Sequence, residues 1–164
     1  MQKLVIHAER QTAELWESGQ LTQTYRISTA RNGAGCAPGS YCTPTGKLRV
    51  SEKIGEGLPM GAILKSRQFT GNVWDGSSPC DEDLILTRIL WLEGLDDGNK
   101  NTKDRYIYLH GTNQEDLLGT PASHGCIRFS NADIVDLFNR LDTGSEVEVI
   151  YPESSAAPAQ KPRA

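Results

Sequence analysis

A thiol, two imidazoles and a guanidinium fall within nineteen positions of this 164-residue chain, in His110-Gly111-Thr112 and Ser123-His124-Gly125-Cys126-Ile127-Arg128. Together they can attack a carbonyl. Cysteine is the strongest neutral-pH nucleophile among the side chains, and a histidine within hydrogen-bond reach is expected to lower its pKa and convert it to thiolate. Gly125 permits a tight backbone approach before Cys126, which makes the N–H groups of Gly125 and Cys126 candidates for an oxyanion hole. His124 and Cys126 are two apart, so on an extended segment they share a side. Arg128 suits a substrate carboxylate, with a structural salt bridge as its plainer alternative. A zinc site on His110, His124 and Cys126 is the rival chemistry. No CxxC or HExxH spacing supports it, so the nucleophile ranks ahead and no metal or cofactor is expected.

The elements around this motif are short. Leu4–Ile6, Ala13–Trp16 and Leu21–Ile27 alternate polar and apolar residues around a Ser18-Gly19 turn and read as an antiparallel meander. Residues 31–46 carry Asn-Gly, Pro-Gly and Pro-Thr-Gly and read as a loop. Further strands are expected at Leu48–Val50, Ala62–Phe69, Leu84–Leu92 and Tyr106–Leu109, with a polar surface excursion over 93–105. Leu84–Leu92 also fits a short buried helix; its length favours strand. After the cysteine motif Ser130 can cap a helix, with Asp133 three residues on and a stripe of Ile134, Leu137, Phe138 and Leu141. That stripe is packing. Gly144 is the expected helix stop, and Val147–Ile150 a closing strand.

With those residues in view, His110-Gly111-Thr112 followed by Ser123-His124-Gly125-Cys126-Ile127-Arg128 resembles the signature of the YkuD-type L,D-transpeptidase family. Thr43-Pro44-Thr45-Gly46 resembles a recurrent element of the same family, and the likeness extends from about Lys3 to about Ile150. The resemblance implies a mainly β, sandwich- or barrel-like domain with one late helix. It implies Cys126 as nucleophile, His110 as base and the Gly111 carbonyl as the group that orients the imidazole. His124 would line the pocket and assist proton transfer, and Ser123 would bond locally beside the oxyanion hole. The implied donor is a peptidoglycan stem tetrapeptide or muropeptide fragment, cut between a diamino acid and its terminal D-alanine through a thioester. A catalytically silent wall-binding module would keep the fold but not need this full set.

Composition narrows the rest. Length fits one domain over residues 1–151, followed by a Pro/Ala/Ser-rich tail over 152–164 that is expected to be disordered. A net charge of −4 gives no footprint for nucleic acid, and no apolar run reaches membrane length. The first ten residues read as a strand with no signal peptide before it. This predicts a cytoplasmic L,D-carboxypeptidase that trims recycled wall peptides. The alternative is an exported cross-linking L,D-transpeptidase whose signal has been removed. Of four cysteines, Cys36, Cys42 and Cys80 are expected as free thiols, with a Cys36–Cys42 bridge left open.

Overall fold

A computed structural model describes residues 2–77 and 82–151. Cys80 and the proposed tail over 152–164 lie outside the described residues. Ten strands and one α-helix follow in order: β1 (Gln2–His7), β2 (Thr12–Glu17), β3 (Gln20–Ser28), β4 (Gly46–Ile54), β5 (Ala62–Lys65), β6 (Gln68–Val73), β7 (Ile85–Gly94), β8 (Tyr108–Gly111), β9 (Ile127–Phe129), α1 (Asn131–Arg140) and β10 (Glu146–Ile150). The mainly β reading with one late helix holds.

The strands run β4-β10-β1-β2-β3-β9-β8-β7-β5-β6, and β4 also pairs with β7. That extra pairing closes the sheet into a barrel and leaves the β5–β6 hairpin projecting from β7. Inside lie Leu4, Ile6, Leu15, Ile27, Leu90 and Val147, all fully buried. The stripe of α1 completes this core with Ile134, Leu137 and Phe138. Ser130 caps the helix by accepting from Asp133 N at 3.0 Å. The helix stops at Arg140 rather than Gly144, because Leu141 turns extended (φ −92°, ψ 138°) with its side chain in the core.

Strand β7 must serve three neighbours, and it does so by breaking register. Ile85 and Leu86 pair with β5, whereas Ile89 to Gly94 pair with β4. Thr87 and Arg88 bulge between these halves, opposite the step from Gly111 to His110 on β8. Thr87 sits there at φ 76°, fully buried, a conformation that costs a β-branched residue about 1–3 kcal/mol.

Three expectations need correction. Ala62–Phe69 is not one strand but two, separated by Ser66 and Arg67 at φ 50° and 64°; a pair of positive-φ residues makes a tight hairpin turn. Strand β9 went unread because it is only three residues long and carries a buried arginine in the middle. The 93–105 excursion is not all surface. Asn99, 1 % exposed, donates to Thr45 O and Lys47 O at 2.9 and 3.1 Å and accepts from Asp96 N. It staples this excursion to the start of β4. Asn99→Ala removes the side-chain donor to Thr45 O, while Lys47 O keeps the Leu95 N–H, and should cost about 1–3 kcal/mol, read from the denaturant midpoint at unchanged m-value.

Candidate active site

Strands β8 and β9 lie parallel, with Leu109 opposite Ile127 and His110 opposite Arg128. Leu109, Ile127 and Phe129 point into the barrel core. Strand alternation therefore turns Tyr108, His110, Cys126 and Arg128 to the opposite face. One three-residue pairing thus assembles the thiol, the imidazole and the guanidinium, although fifteen residues separate His110 from Cys126 in the chain.

The imidazole is held from behind. His110 is 2 % exposed, and its Nδ1 lies 2.6 Å from Gly111 O. A carbonyl can only accept, so Nδ1 carries the proton and Nε2 keeps the lone pair. Burial pushes the pKa of His110 below its ordinary 6.5, against the pull of the Gly111 carbonyl. Gly111 is required here: a Cβ would stand 2.5 Å from Asn131 Oδ1 and 2.8 Å from Leu86 O.

Cys126 Sγ accepts from Tyr108 N at 3.3 Å and donates to Tyr106 O at 3.4 Å. The expectation that nearby histidines depress the thiol pKa is overturned. Burial pushes it up to about 11, further than the Tyr108 N–H and the charges of Arg128 and Arg105 bring it down, while Asp83 adds to the rise. The resting pair is a neutral thiol and a neutral imidazole. The residues before the cysteine form a turn, not an extended run. Gly125 has φ 131°, and a Cβ there would meet Ile107 Cδ1 at 3.2 Å. The bend removes the extended backbone on which the two-residue spacing would put both side chains on one side. His124 is exposed, with Nδ1 3.6 Å from Asp83 Oδ2 and its ring edge-on to Tyr41 at 5.8 Å. Among the described residues no group of three His, Cys, Asp or Glu side chains that could hold a metal ion forms.

Ser123 is a staple. Its hydroxyl donates to Cys126 O at 2.6 Å and accepts from Gly125 N at 3.2 Å. The Gly125 N–H is therefore engaged, and of the two expected oxyanion donors only the Cys126 N–H has no hydrogen-bond partner among the described residues. Thr43, from the Thr-Pro-Thr-Gly element, donates to Gly125 O at 3.0 Å and accepts from Ala30 N at 2.9 Å, locking the turn from beneath. Nothing in its sequence context announced that role. The loop around it is pinned by Arg105, which donates to Gly35 O and Cys42 O. Cys36 and Cys42 are free thiols.

Arg128 is 1 % exposed, and its Nη2 lies 2.8 Å from Asp83 Oδ2. Nε and Nη1 are buried without partners. Nη2 carries two N–H groups, one on each forked edge of the guanidinium, so the bond to Asp83 commits one edge. The salt bridge is formed. Asp83 also lines a cleft of about 820 Å³ between the β5–β6 hairpin and the start of β7, walled further by Leu64, Ser66, Asn72, Trp74 and Ile85. At the hairpin tip, Arg67 lies 4.8 Å from the Trp91 ring and 5.2 Å from that of Tyr106, and donates to Tyr108 Oη at 3.1 Å.

The neutral pair has a measurable consequence. In a variant with Cys36, Cys42 and Cys80 replaced by Ser, alkylation of the remaining thiol should rise with pH toward a midpoint near 11; a plateau already reached at pH 7 would mean a preformed thiolate. Folding stability follows the same groups. Between pH 9 and 11 the unfolded chain releases the Cys126 proton while the folded chain keeps it, so stability falls as pH rises. Below about 6.5 the unfolded chain takes up a proton that buried His110 refuses, so stability falls as pH drops. Cys126→Ser should reduce the first slope, to which Tyr25 and Tyr108, also raised by burial, contribute, and leave the second.

The L,D-transpeptidase catalytic domain model (YkuD) matches residues 2–149. Two curated proteins named as L,D-transpeptidases match shorter stretches: YqjB of Bacillus subtilis, 42% identical over 48 residues, covering 29% of this chain and 27% of that one, and YbiS of Escherichia coli, 41% identical over 46 residues, covering 28% and 15%. These stretches are about a quarter or less of each relative's length. Among solved structures, L,D-transpeptidase 3 from Mycobacterium tuberculosis superposes with TM-score 0.59 at 18% identity, covering 91% of this chain and 60% of that one. The same enzyme with a faropenem-derived adduct gives 0.58 at 19%, covering 90% and 59%. An L,D-transpeptidase from Xylanimonas cellulosilytica gives 0.54 at 19%, covering 91% and 60%. At such identities the likeness is one of fold. Since the family model spans nearly the whole barrel and its active-site strands, this chain belongs to the YkuD family of L,D-transpeptidase catalytic domains.

Proposed function

We propose that the domain is a cysteine acyl-transferase that cuts a peptidoglycan stem tetrapeptide between the L-centre of its diamino acid and the terminal D-alanine. The observation that carries this is the β8–β9 pairing, which sets Cys126 and His110 on one face with Nδ1 of the imidazole on Gly111 O. In this reading His110 Nε2 takes the thiol proton as Sγ attacks the carbonyl. The charge that develops on the carbonyl oxygen falls to the Cys126 N–H. The imidazolium then gives its proton to the leaving amine, D-alanine departs, and the stem stays as a thioester on Cys126. A neutral resting pair suits this order, because the base holds its lone pair and the acid is made only as the bond forms. His124 would face incoming substrate from the exposed side.

Water is the proposed acceptor, giving a tripeptide and regenerating the thiol. What supports it is exposure beside the sulfur: Tyr106 is 54% exposed, and His124 lies open on the other flank. Water at about 55 M then reaches the thioester unless bound substrate excludes it. Trimming of soluble muropeptides in the cytoplasm belongs to the same proposal. Transfer to an amine of a second stem, giving a cross-link, uses the same residues and is the second reading, favoured by the fold shared with enzymes named as transpeptidases.

Incubation with a disaccharide-tetrapeptide, followed by mass, should show loss of one alanine; dimer formation would select cross-linking instead. Cys126→Ala and His110→Ala should each abolish turnover, with effects that do not add. Faropenem should leave a covalent adduct, seen as added mass, on the wild-type chain but not on Cys126→Ala, and labelling of the latter would place the nucleophile elsewhere. Arg128→Lys should lower stability by about 1–3 kcal/mol while leaving KM unchanged, as expected of an ion pair with Asp83; a raised KM at unchanged melting temperature would return Arg128 to substrate binding.

A further inference from the structure

Behind the imidazole runs a buried polar chain that touches neither the thiol nor the cleft. Thr87, at the β7 bulge, donates its hydroxyl proton to Asn131 Oδ1 at 2.6 Å and accepts from Gly61 N at 2.9 Å. Asn131, the first residue of α1 and 5 % exposed, donates from Nδ2 to Thr112 O at 2.9 Å and to Glu115 Oε2 at 2.8 Å. Both partners at that end are acceptors, so only one orientation of the amide is possible, and its oxygen must face a donor. Thr87 is that donor. The same Oδ1 occupies the space a Cβ on Gly111 would need. The amide is thus packed against Gly111 and bonded to Thr112, on the two residues whose shared peptide unit carries the Gly111 carbonyl.

Thr87 reaches this place only by holding a positive φ, which a glycine would adopt without strain. A strained β-branched residue at a fully buried bulge is retained for what its side chain does, and here that is one hydroxyl between two polar partners. We infer that Thr87 and Asn131 are positioning residues for the base: they fix the Gly111–Thr112 backbone so that Gly111 O stays on His110 Nδ1 and Nε2 stays free to receive the thiol proton. The inference rests on the reading of His110 as base. If the carbonyl turns away, the ring can place its proton on Nε2 instead, and that tautomer cannot accept from sulfur.

The test separates tautomer from fold and from turnover. Ring ¹⁵N signals of His110 are recorded in the full chain at about pH 8, where an imidazole of ordinary or lowered pKa is neutral. Wild type and Thr87→Ser should show the Nδ1–H tautomer. Thr87→Val and Thr87→Gly, which delete the hydroxyl, should show a substantial Nε2–H fraction. Their kcat on the tetrapeptide should fall roughly 10- to 100-fold with KM within about twofold, the pattern of lost alignment. Thr87→Gly also relieves the positive φ, so it tests the hydroxyl even if Thr87→Val fails to fold. Hydroxyl-free variants that keep the wild-type tautomer and kcat overturn the inference. A wild-type chain that leaves the tetrapeptide intact overturns the proposed function, and the ¹⁵N comparison still decides the inference.

Discussion

The pairing of β9 with β8 is the constraint on which the site depends. Three residues, Ile127 to Phe129, join β8 on one side and only the end of β3 on the other. Because the pairing is parallel, the chain must travel back between the two strands, and the 112–126 segment makes that journey. It is tied to β3 along the way: Gly119 N donates to Ile27 O, Ser28 Oγ to Thr120 O, and Arg26 to Leu118 O. A one-residue slip of β9 would send Cys126 and Arg128 into the core and Ile127 outward. The apolar demand of the barrel and the placement of Cys126 and His110 on one face are therefore one requirement. Stability of the barrel selects the register in which the proposed chemistry is possible.

Burial then sets the electrostatic character of the pair. Desolvation of the Cys126 thiol and the His110 ring keeps both neutral at rest. Arg128 supplies positive charge nearby, but Asp83 offsets it at 2.8 Å. The two guanidinium nitrogens without partners mark how completely Arg128 has been taken from water. Such a site keeps its thiol from casual oxidation or alkylation, since those reactions begin with the thiolate.

Much of this was legible in the sequence where a local rule had one physical solution. The meander of β1 to β3 alternates cleanly, and α1 has both its cap at Ser130 and its stripe. The cysteine motif was readable because its residue types are costly to keep together without chemistry. What escaped depended on long-range partners. Asn99 looks like one more loop asparagine until Thr45 and Lys47 meet it from β4. Thr87 looks like an ordinary strand residue until β7 must change neighbours. His124 and Cys126 shared a face only on the premise of an extended segment, and Gly125 bends it. The thiol pKa misled for the same reason: counting histidines is local, whereas desolvation belongs to the whole fold.

The cleft beside the site meets the chemistry at one point. Of the described residues that wall it, Asp83 is the one bonded to a side chain on the nucleophile's face. The hairpin wall and the 72–75 stretch carry no group that the acid–base pair needs. In evolutionary terms the cleft wall and the strand pairing are separable inheritances. Successive substitutions along Ser66, Asn72 or Trp74 can reshape the cleft while the barrel and its strained bulge pass on unchanged. Asp83 stands apart, because replacing it strands a buried cation, and a lineage can alter it only together with Arg128.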